Sequence, residues 1–329
     1  MPNLAPLDAA NARSTSRCIR DWPDAATLWD SGDGVAVFEL TQRDGLITPE
    51  VIAALGAAHR LVANEFDALV FTSSNPRLLA FGAAGPFRHT IQTGDTAPSL
   101  AFLLDGQATL HALRLAPFPF VVAVHGLAFS GACEVALFAN GLVAEEAAPI
   151  ALKEVWVGLI PGWGGNCQLM LRQQYAGADP FTSACTALSF CARGHIAQGL
   201  DEGRRTSLFR VHDSTVTNRS ELFPTAKRLA RSLIGSPKPT EAMIHLPPST
   251  ALPRLEAHVD QLHGELLFAP VEAEAMQTLL DLLKTHAGST LPETRYMAHE
   301  AHAFLPLLKP SLGPRFMHLA ATGQRPPRD

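Results

Sequence analysis

Residues 116–165 read APFPFVVAVHGLAFSGACEVALFANGLVAEEAAPIALKEVWVGLIPGWGG: an apolar strand, a glycine-containing turn, a short apolar helix, a second strand-like run and a second glycine turn. Apolar strands alternating with helical patterns predict an α/β fold. The carboxylates of this stretch are Glu134, Glu145, Glu146 and Glu154. The adjacent pair Glu145 and Glu146 reads as ordinary solvated surface. Glu134 opens a helix of otherwise apolar residues, and Glu154 lies between two apolar runs, so both fall where water is scarce. A glutamate in a first helical turn also serves the helix dipole alone, at roughly 0.3–1 kcal/mol, and a lone glutamate between apolar runs also fits a surface edge. Their joint occurrence with two glycine turns in one apolar setting points to a catalytic site.

The turn Ala128-Phe129-Ser130-Gly131 feeds that helix, so the Gly131 and Ala132 amides are first-turn donors without intrahelical acceptors, at the positive end of a dipole. Upstream, SSNPRLLAFGAAGPFRHT at 73–90 places small residues at Gly82, Ala83, Ala84 and Gly85. Such residues let a backbone amide approach a ligand closely, or simply make a tight loop. If the Ala84-Gly85 amide met that of Gly131, the pair would form an oxyanion hole for a thioester enolate. Glu134 and Glu154, twenty residues apart, would then flank the enolate and handle protons and water.

Around this centre the chain divides into three. Residues 1–25 mix Pro, Asn, Ser and Arg without periodicity and read as a poorly ordered N-terminal arm. Residues 26–235 form the core. A strand is expected over Val35–Leu40 after the Ser31-Gly32-Asp33-Gly34 turn, then a helix capped by Thr48 with Pro49 at its first position. A strand at 68–72, a helix around 99–115 and a buried strand at 120–124 follow. A helix begins at Gly164-Gly165, residues 175–220 look irregular, and 222–234 is an amphipathic helix. Residues 236–329 form a C-terminal region, helical throughout from Leu255 to about Leu319.

Composition narrows the function. A chain of 329 residues with 47% hydrophobic residues can bury a large core. With 26 basic and 31 acidic residues, net charge −5, and no basic block interleaved with aromatics, nucleic acid is not the expected partner. Five cysteines without CxxC spacing argue against a disulfide framework or a zinc site, and reduced thiols suit a cytoplasmic protein. No apolar run reaches the roughly 20 residues of a membrane span, and the N-terminus lacks a signal-peptide core. His299 and His302 are spaced i, i+3, unlike the i, i+4 pair of a zinc-protease helix, and no metal is expected. Gly126 lies four residues before Ser130 rather than two, so the GxSxG nucleophile elbow is absent. His125 and Cys133 read as packed residues.

The central segment resembles the signature of the crotonase (enoyl-CoA hydratase/isomerase) superfamily, which pairs a Gly-Gly-Gly-Cys-Glu turn with Pro-Glu and a Gly-Leu-Ile-Pro-Gly-x-Gly-Gly run. The matching residues are Ser130-Gly131-Ala132-Cys133-Glu134, Lys153-Glu154 and Gly158-Leu-Ile-Pro-Gly-Trp-Gly-Gly165. Ala80-Phe81-Gly-Ala-Ala-Gly-Pro86 is similar to the family's other oxyanion loop. The resemblance covers roughly residues 27–235. Leu28-Trp-Asp-Ser-Gly-Asp-Gly34 and the stretch from Glu300 through Thr322-Gly-Gln-Arg-Pro-Pro327 look like the crotonase portion of fused bacterial 3-hydroxyacyl-CoA dehydrogenases. No GxGxxG follows a strand here, so a dehydrogenase step would need another polypeptide.

The resemblance implies a crotonase fold, a spiral of ββα units with a helical C-terminal region, and a trans-2-enoyl-CoA hydratase of fatty-acid oxidation. Gly85 and Gly131 would hold the thioester oxygen, Glu134 would activate water, and Glu154 would exchange the α-proton. Ala84, Gly162 and Trp163 would line the substrate, and Arg88 is a candidate for a CoA phosphate or a solvated loop residue. It implies no cofactor beyond the coenzyme A of the substrate, a homotrimer or hexamer, and a separate dehydrogenase or thiolase as a possible partner. Isomerisation, thioester hydrolysis, or a non-catalytic subunit of a fatty-acid oxidation complex are the alternatives. Pro86, Ala84, Ser130, Ala132 and Trp163 depart from the family pattern.

Overall fold

The computed structural model describes residues 16–81, 85–194 and 199–328. Its main sheet has seven strands in the order β1-β2-β3-β4-β6-β8-β10. Strands β1 (Arg17–Trp22), β2 (Ala26–Asp30) and β3 (Val35–Leu40) pair antiparallel. From β3 the sheet is parallel through β4 (Ala68–Ser73), β6 (Phe120–Val124), β8 (Gly141–Glu145) and β10 (Ser214–Val216). Arg17–Trp22 falls within the stretch expected to be an unstructured arm. It is a mostly exposed edge strand, paired to β2 and resting on the core through Ile19 and Trp22; these two are three residues apart across an irregularity between Cys18 and Arg20, so a period-two reading gives no sign of it.

Strands β4 and β6 are buried along their whole length, and alternate residues serve two cores. Val37, Val70, Val121 and Val143 face helix α8 (Leu222–Ser232) through Leu222, Ala226 and Ala230. Phe38, Phe71 and Phe120 face the opposite core, where Phe38 stacks on Phe71 at 5.6 Å and Phe71 meets Phe120 edge-on at 6.4 Å. Helix α1 (Pro49–Glu65) covers that face. Pro49 starts it as expected, but the Thr48 hydroxyl makes no capping bond and instead accepts from Gln42 at 3.3 Å.

Three main-sheet strands each step into a second, parallel sheet of three, ordered β5-β7-β9. These are β5 (Leu78–Phe81), β7 (Leu127–Phe129) and β9 (Ile150–Ala151). The step from β6 to β7 turns on Gly126, with φ +54°, where a Cβ would lie 2.0 Å from the Arg77 carbonyl oxygen; only glycine fits. Register pairs Phe81 with Phe129 and Phe129 with Ala151. The segments that follow β7 and β9, leading to Gly131 and Glu154, therefore leave the small sheet side by side.

After β5 come α2 (Pro86–Thr93) and α3 (Ala97–Arg114), after β7 comes α4 (Gly131–Phe138), and after β9 a short 3-10 turn at Val155–Val157 leads to α5 (Gly165–Tyr175). The stretch 175–220 is more regular than expected. It contains α6 (Pro180–Arg193), capped by Asp179 accepting from Phe181 and Thr182 amides and ended by Gly194, and α7 (Gly199–Arg205).

The C-terminal region holds α9 (Leu252–Leu266), α10 (Pro270–Thr285), α11 (Glu293–Phe304) and α12 (Gly313–Thr322). It is not helical throughout: β11 (Met243–His245) pairs antiparallel with β12 (Thr290–Pro292). Leu279, Tyr296, Met297 and Phe304 join the same apolar cluster as Phe71 and Phe120. No helix among the described residues is long and apolar enough to cross a membrane.

Candidate active site

Glu134 sits in the first turn of α4, whose first helical bond runs from its own amide to the Ser130 carbonyl at 3.0 Å. The Gly131, Ala132 and Cys133 amides precede that bond and have no intrahelical acceptor. Every residue of this helix is buried, which explains why its sequence is apolar around one carboxylate. Glu134 Oε1 accepts the Trp163 amide at 2.8 Å and the Gly165 amide at 2.9 Å. Burial raises its pKa to about 7, while those two amides pull it down.

Glu154 begins the 3-10 turn after β9 and is 7% exposed. Burial, and next the charge of Glu134, push its pKa well above the ordinary carboxylate range. Its own amide, the Ser130 hydroxyl and the Lys153 amide act in the other direction. Glu154 Oε2 has no hydrogen-bond partner among the described residues. Neither glutamate has a salt-bridge partner among them.

Ser130 joins the two. It has φ +56° and ψ −121°, a backbone state unfavourable for a residue with a Cβ, at a cost of about 1–3 kcal/mol. Its amide is held by the Ala151 carbonyl at 2.8 Å. Gly85 caps α2 with φ +95°, so a side chain there would be strained. Ala84 lies outside the described residues.

Trp163 and Gly162 are packed into the core. The Trp163 ring is 1% exposed, meets Phe102 edge-on at 5.3 Å and lies against Gly106, where a Cβ would come within 2.2 Å of Nε1. The Gly162 carbonyl accepts from Gln107 Nε2 at 2.9 Å, and a Cβ there would meet Leu103 at 2.5 Å. Arg88 is exposed on α2. A separate cleft of about 380 Å³, lined by Thr41, Arg43, Ser74, Asn75 and Arg77 among others, opens where β3 and β4 end and β5 begins.

Some neighbours were not singled out in the sequence. Glu300 on α11 is fully buried; its Oε1 accepts the Cys167 amide at 3.1 Å, so it holds the same helix start that holds Glu134. Burial first, then the Glu134 charge, raise its pKa, and Asn166 offsets part of this. The signal was present: Glu293, Tyr296, Met297, Glu300 and Phe304 fall on one helical face. Lys153 is also buried. Glu145, expected to be solvated, is half-buried: burial raises its pKa, but Arg219 and the Gly126 amide outweigh this and leave it lowered.

The residues read as packing occupy such places. His125 Nε2 lies 2.8 Å from the Asn75 carbonyl oxygen, and burial lowers its pKa to about 4. Cys133 is buried and unpaired. Of the i, i+3 pair, His299 stacks on His286 at 4.4 Å, and the exposed His302 contacts the Ala298 carbonyl.

Residues 30–179 match the enoyl-CoA hydratase/isomerase family. A Bacillus subtilis (strain 168) protein named "Probable 3-hydroxyacyl-CoA dehydrogenase" is 24% identical over 287 residues, 86% of this chain and 36% of that protein. This chain therefore spans about a third of that relative's length. Among solved structures, an enoyl-CoA hydratase from Rhodobacter sphaeroides 2.4.1 aligns with TM-score 0.60 at 16% identity, covering 90% of each chain. An enoyl-CoA hydratase/isomerase from Xanthobacter autotrophicus Py2 aligns with TM-score 0.57 at 16% identity, covering 92% of this chain and 95% of that one. At these identities the structures show a shared fold.

Proposed function

We propose that this chain, whose residues 30–179 match the enoyl-CoA hydratase/isomerase family, adds water across the double bond of a trans-2-enoyl-CoA. The observation that carries this reading is the pair of buried, cation-free carboxyls, Glu134 and Glu154, beside the Gly131 helix start. Burial pushes both pKa values up, and the Glu134 charge adds a further rise at Glu154, which suits Glu134 to act as base and Glu154 as acid.

In this reading the Gly131 and Gly85 amides hold the thioester oxygen and stabilise the charge it gains. Ionised Glu134 takes a proton from water as the water oxygen bonds to the β-carbon, and the π electrons move onto the thioester as an enolate. Protonated Glu154 then gives its proton to the α-carbon, forming the 3-hydroxyacyl-CoA. The water proton left on Glu134 and the vacancy on Glu154 are restored by exchange with solvent. Arg43 and Arg77 in the cleft at the start of β5 are suited to CoA phosphates, and β5 runs from there toward the Gly85 loop. Arg88 is a further phosphate candidate. The free thiols suit a cytoplasmic setting. The same reading expects trimers or pairs of trimers, which light scattering tests.

The direct test incubates the purified protein with crotonyl-CoA and with a longer trans-2-enoyl-CoA and follows loss of the conjugated thioester absorbance. Hydration abolished by either Glu134→Gln or Glu154→Gln supports the proposal, and turnover surviving both overturns it. Double-bond migration needing only one of the two would indicate an isomerase, and release of free CoA a hydrolase. Inertness toward every thioester together with tight binding of a dehydrogenase would indicate a non-catalytic subunit.

A further inference from the structure

Lys153 precedes Glu154 in the chain and is 1% exposed. Its ammonium donates to the Gly323 carbonyl at 2.6 Å and lies 3.9 Å from the Phe129 ring centroid and 4.5 Å from that of Trp156. No carboxylate among the described residues pairs with it. A buried ammonium without a counter-ion is costly, and facing rings and one carbonyl offset only part of that cost. An apolar side chain of similar length would fill the same space without a charge. What lysine adds is a directed bond to the C-terminal segment.

That bond joins the three parts that meet at the site. Phe129 ends β7 immediately before Ser130 and Gly131, Trp156 lies in the turn that Glu154 begins, and Gly323 closes α12. A second clamp lies alongside. Arg315 donates to the Trp156 carbonyl at 2.8 Å, to Glu272 at 2.6 Å and to the Pro327 carbonyl at 2.8 Å. Arg325 also binds the fully buried Glu272 and donates to the Leu266 carbonyl at 2.9 Å. The segment from Gly323 to Arg328 is thus tied down by polar bonds, and Lys153 is its contact beside Glu154.

We propose that Lys153 is a positioning residue: by bonding Gly323 it locks the C-terminal segment onto the Phe129–Gly131 and Glu154–Trp156 turns and so fixes where the Glu154 carboxyl points. Lys153 does not touch substrate. The inference rests on the proposed acid–base role of Glu154 for its catalytic consequence, but its structural half stands without it.

The test compares the unsubstituted chain with Lys153→Met, which keeps the unbranched stem and loses the donor, and Lys153→Arg, which keeps a cationic donor. Amide hydrogen exchange is followed at 153–158 and 322–328, with kcat and KM for enoyl-CoA hydration alongside. The expected result for Lys153→Met is at least tenfold faster exchange in both segments and a roughly tenfold lower kcat with KM within twofold. Lys153→Arg should recover most of both. Unchanged exchange in Lys153→Met overturns the inference, as does faster exchange at 322–328 without any change at 153–158. Loosening of both segments with unaltered kcat overturns the positioning role. If the wild-type protein hydrates no enoyl-CoA, the proposed function fails, and exchange at 153–158 alone decides whether Lys153 locks the turn.

Discussion

The Trp163 amide donates to Glu134 Oε1 at 2.8 Å while the Trp163 ring packs on Phe102 and Gly106. Backbone and side chain of one residue thus serve different ends. The large ring in this glycine-rich turn is absorbed by the core, because α3 presents Gly106 where the indole lies. Trp163→Ala should therefore cost about 3–5 kcal/mol of stability while leaving the amide bond to Glu134 in place. Urea unfolding should show the loss, and hydration assayed well below the unfolding midpoint should keep a kcat within a few-fold of wild type.

The paired carboxyls make pH dependence diagnostic. Glu134 rises from 4.5 to about 7 on folding, with burial the leading cause. Between those values the folded chain holds a proton that the unfolded chain has released, so the stabilising contribution is complete below 4.5 and lost as pH rises through 7. Glu134→Gln removes it. The stability of wild type relative to Glu134→Gln should fall as pH rises across this window, measured by urea midpoints in a buffer series. Hydration should rise as Glu134 ionises and fall at higher pH as Glu154 does, with limbs that belong to the coupled pair.

Ser130 tests backbone strain against side-chain chemistry. Ser130→Gly relieves the φ of +56° and should stabilise the fold by about 1–3 kcal/mol, read from the denaturation midpoint. Ser130→Ala keeps the strain but removes the hydroxyl that lowers the Glu154 pKa. Its alkaline limb of activity should therefore move to higher pH. An unmoved limb would mean that the hydroxyl does not act on Glu154.

Glu293, fully buried at the start of α11, is held by Arg114, by Gln168 at 2.8 Å and by the Ala242 amide at 2.8 Å. Removing only the cation leaves a buried charge without its main partner. Arg114→Met should cost about 3–5 kcal/mol, and Arg114→Met with Glu293→Gln should recover much of it. Thermal unfolding of the two variants checks this, and a double variant no better than the single would exclude an unpaired charge as the cause.

Local signals carried much of the fold. The strand Phe120–Val124 and the helix begun by Pro49 stand where apolar runs and a first-turn proline place them. The helix Pro180–Arg193 had readable ends in Asp179-Pro180 and Gly194, but its small and hydroxylated residues blur the apolar face. Arg17–Trp22 had no such signal, since its two core-facing residues, Ile19 and Trp22, are spaced by three across an irregular pairing with β2. Glu145 looked solvated because its partner Arg219 is 74 residues away.

By itself the sequence determined the α/β class, the helix beginning at Gly131, and the two glutamates set among apolar runs. Those features rest on periodicity and on glycine and proline stereochemistry, which act over a few residues. Only the tertiary structure decided that Trp163 and Gly165 amides hold Glu134, that Ser130 is strained beside Glu154, and that Lys153 bonds a carbonyl 170 residues away. Burial, charge and hydrogen-bond pairing depend on which distant surfaces close upon one another, and a spacing of residues along the chain does not contain that information.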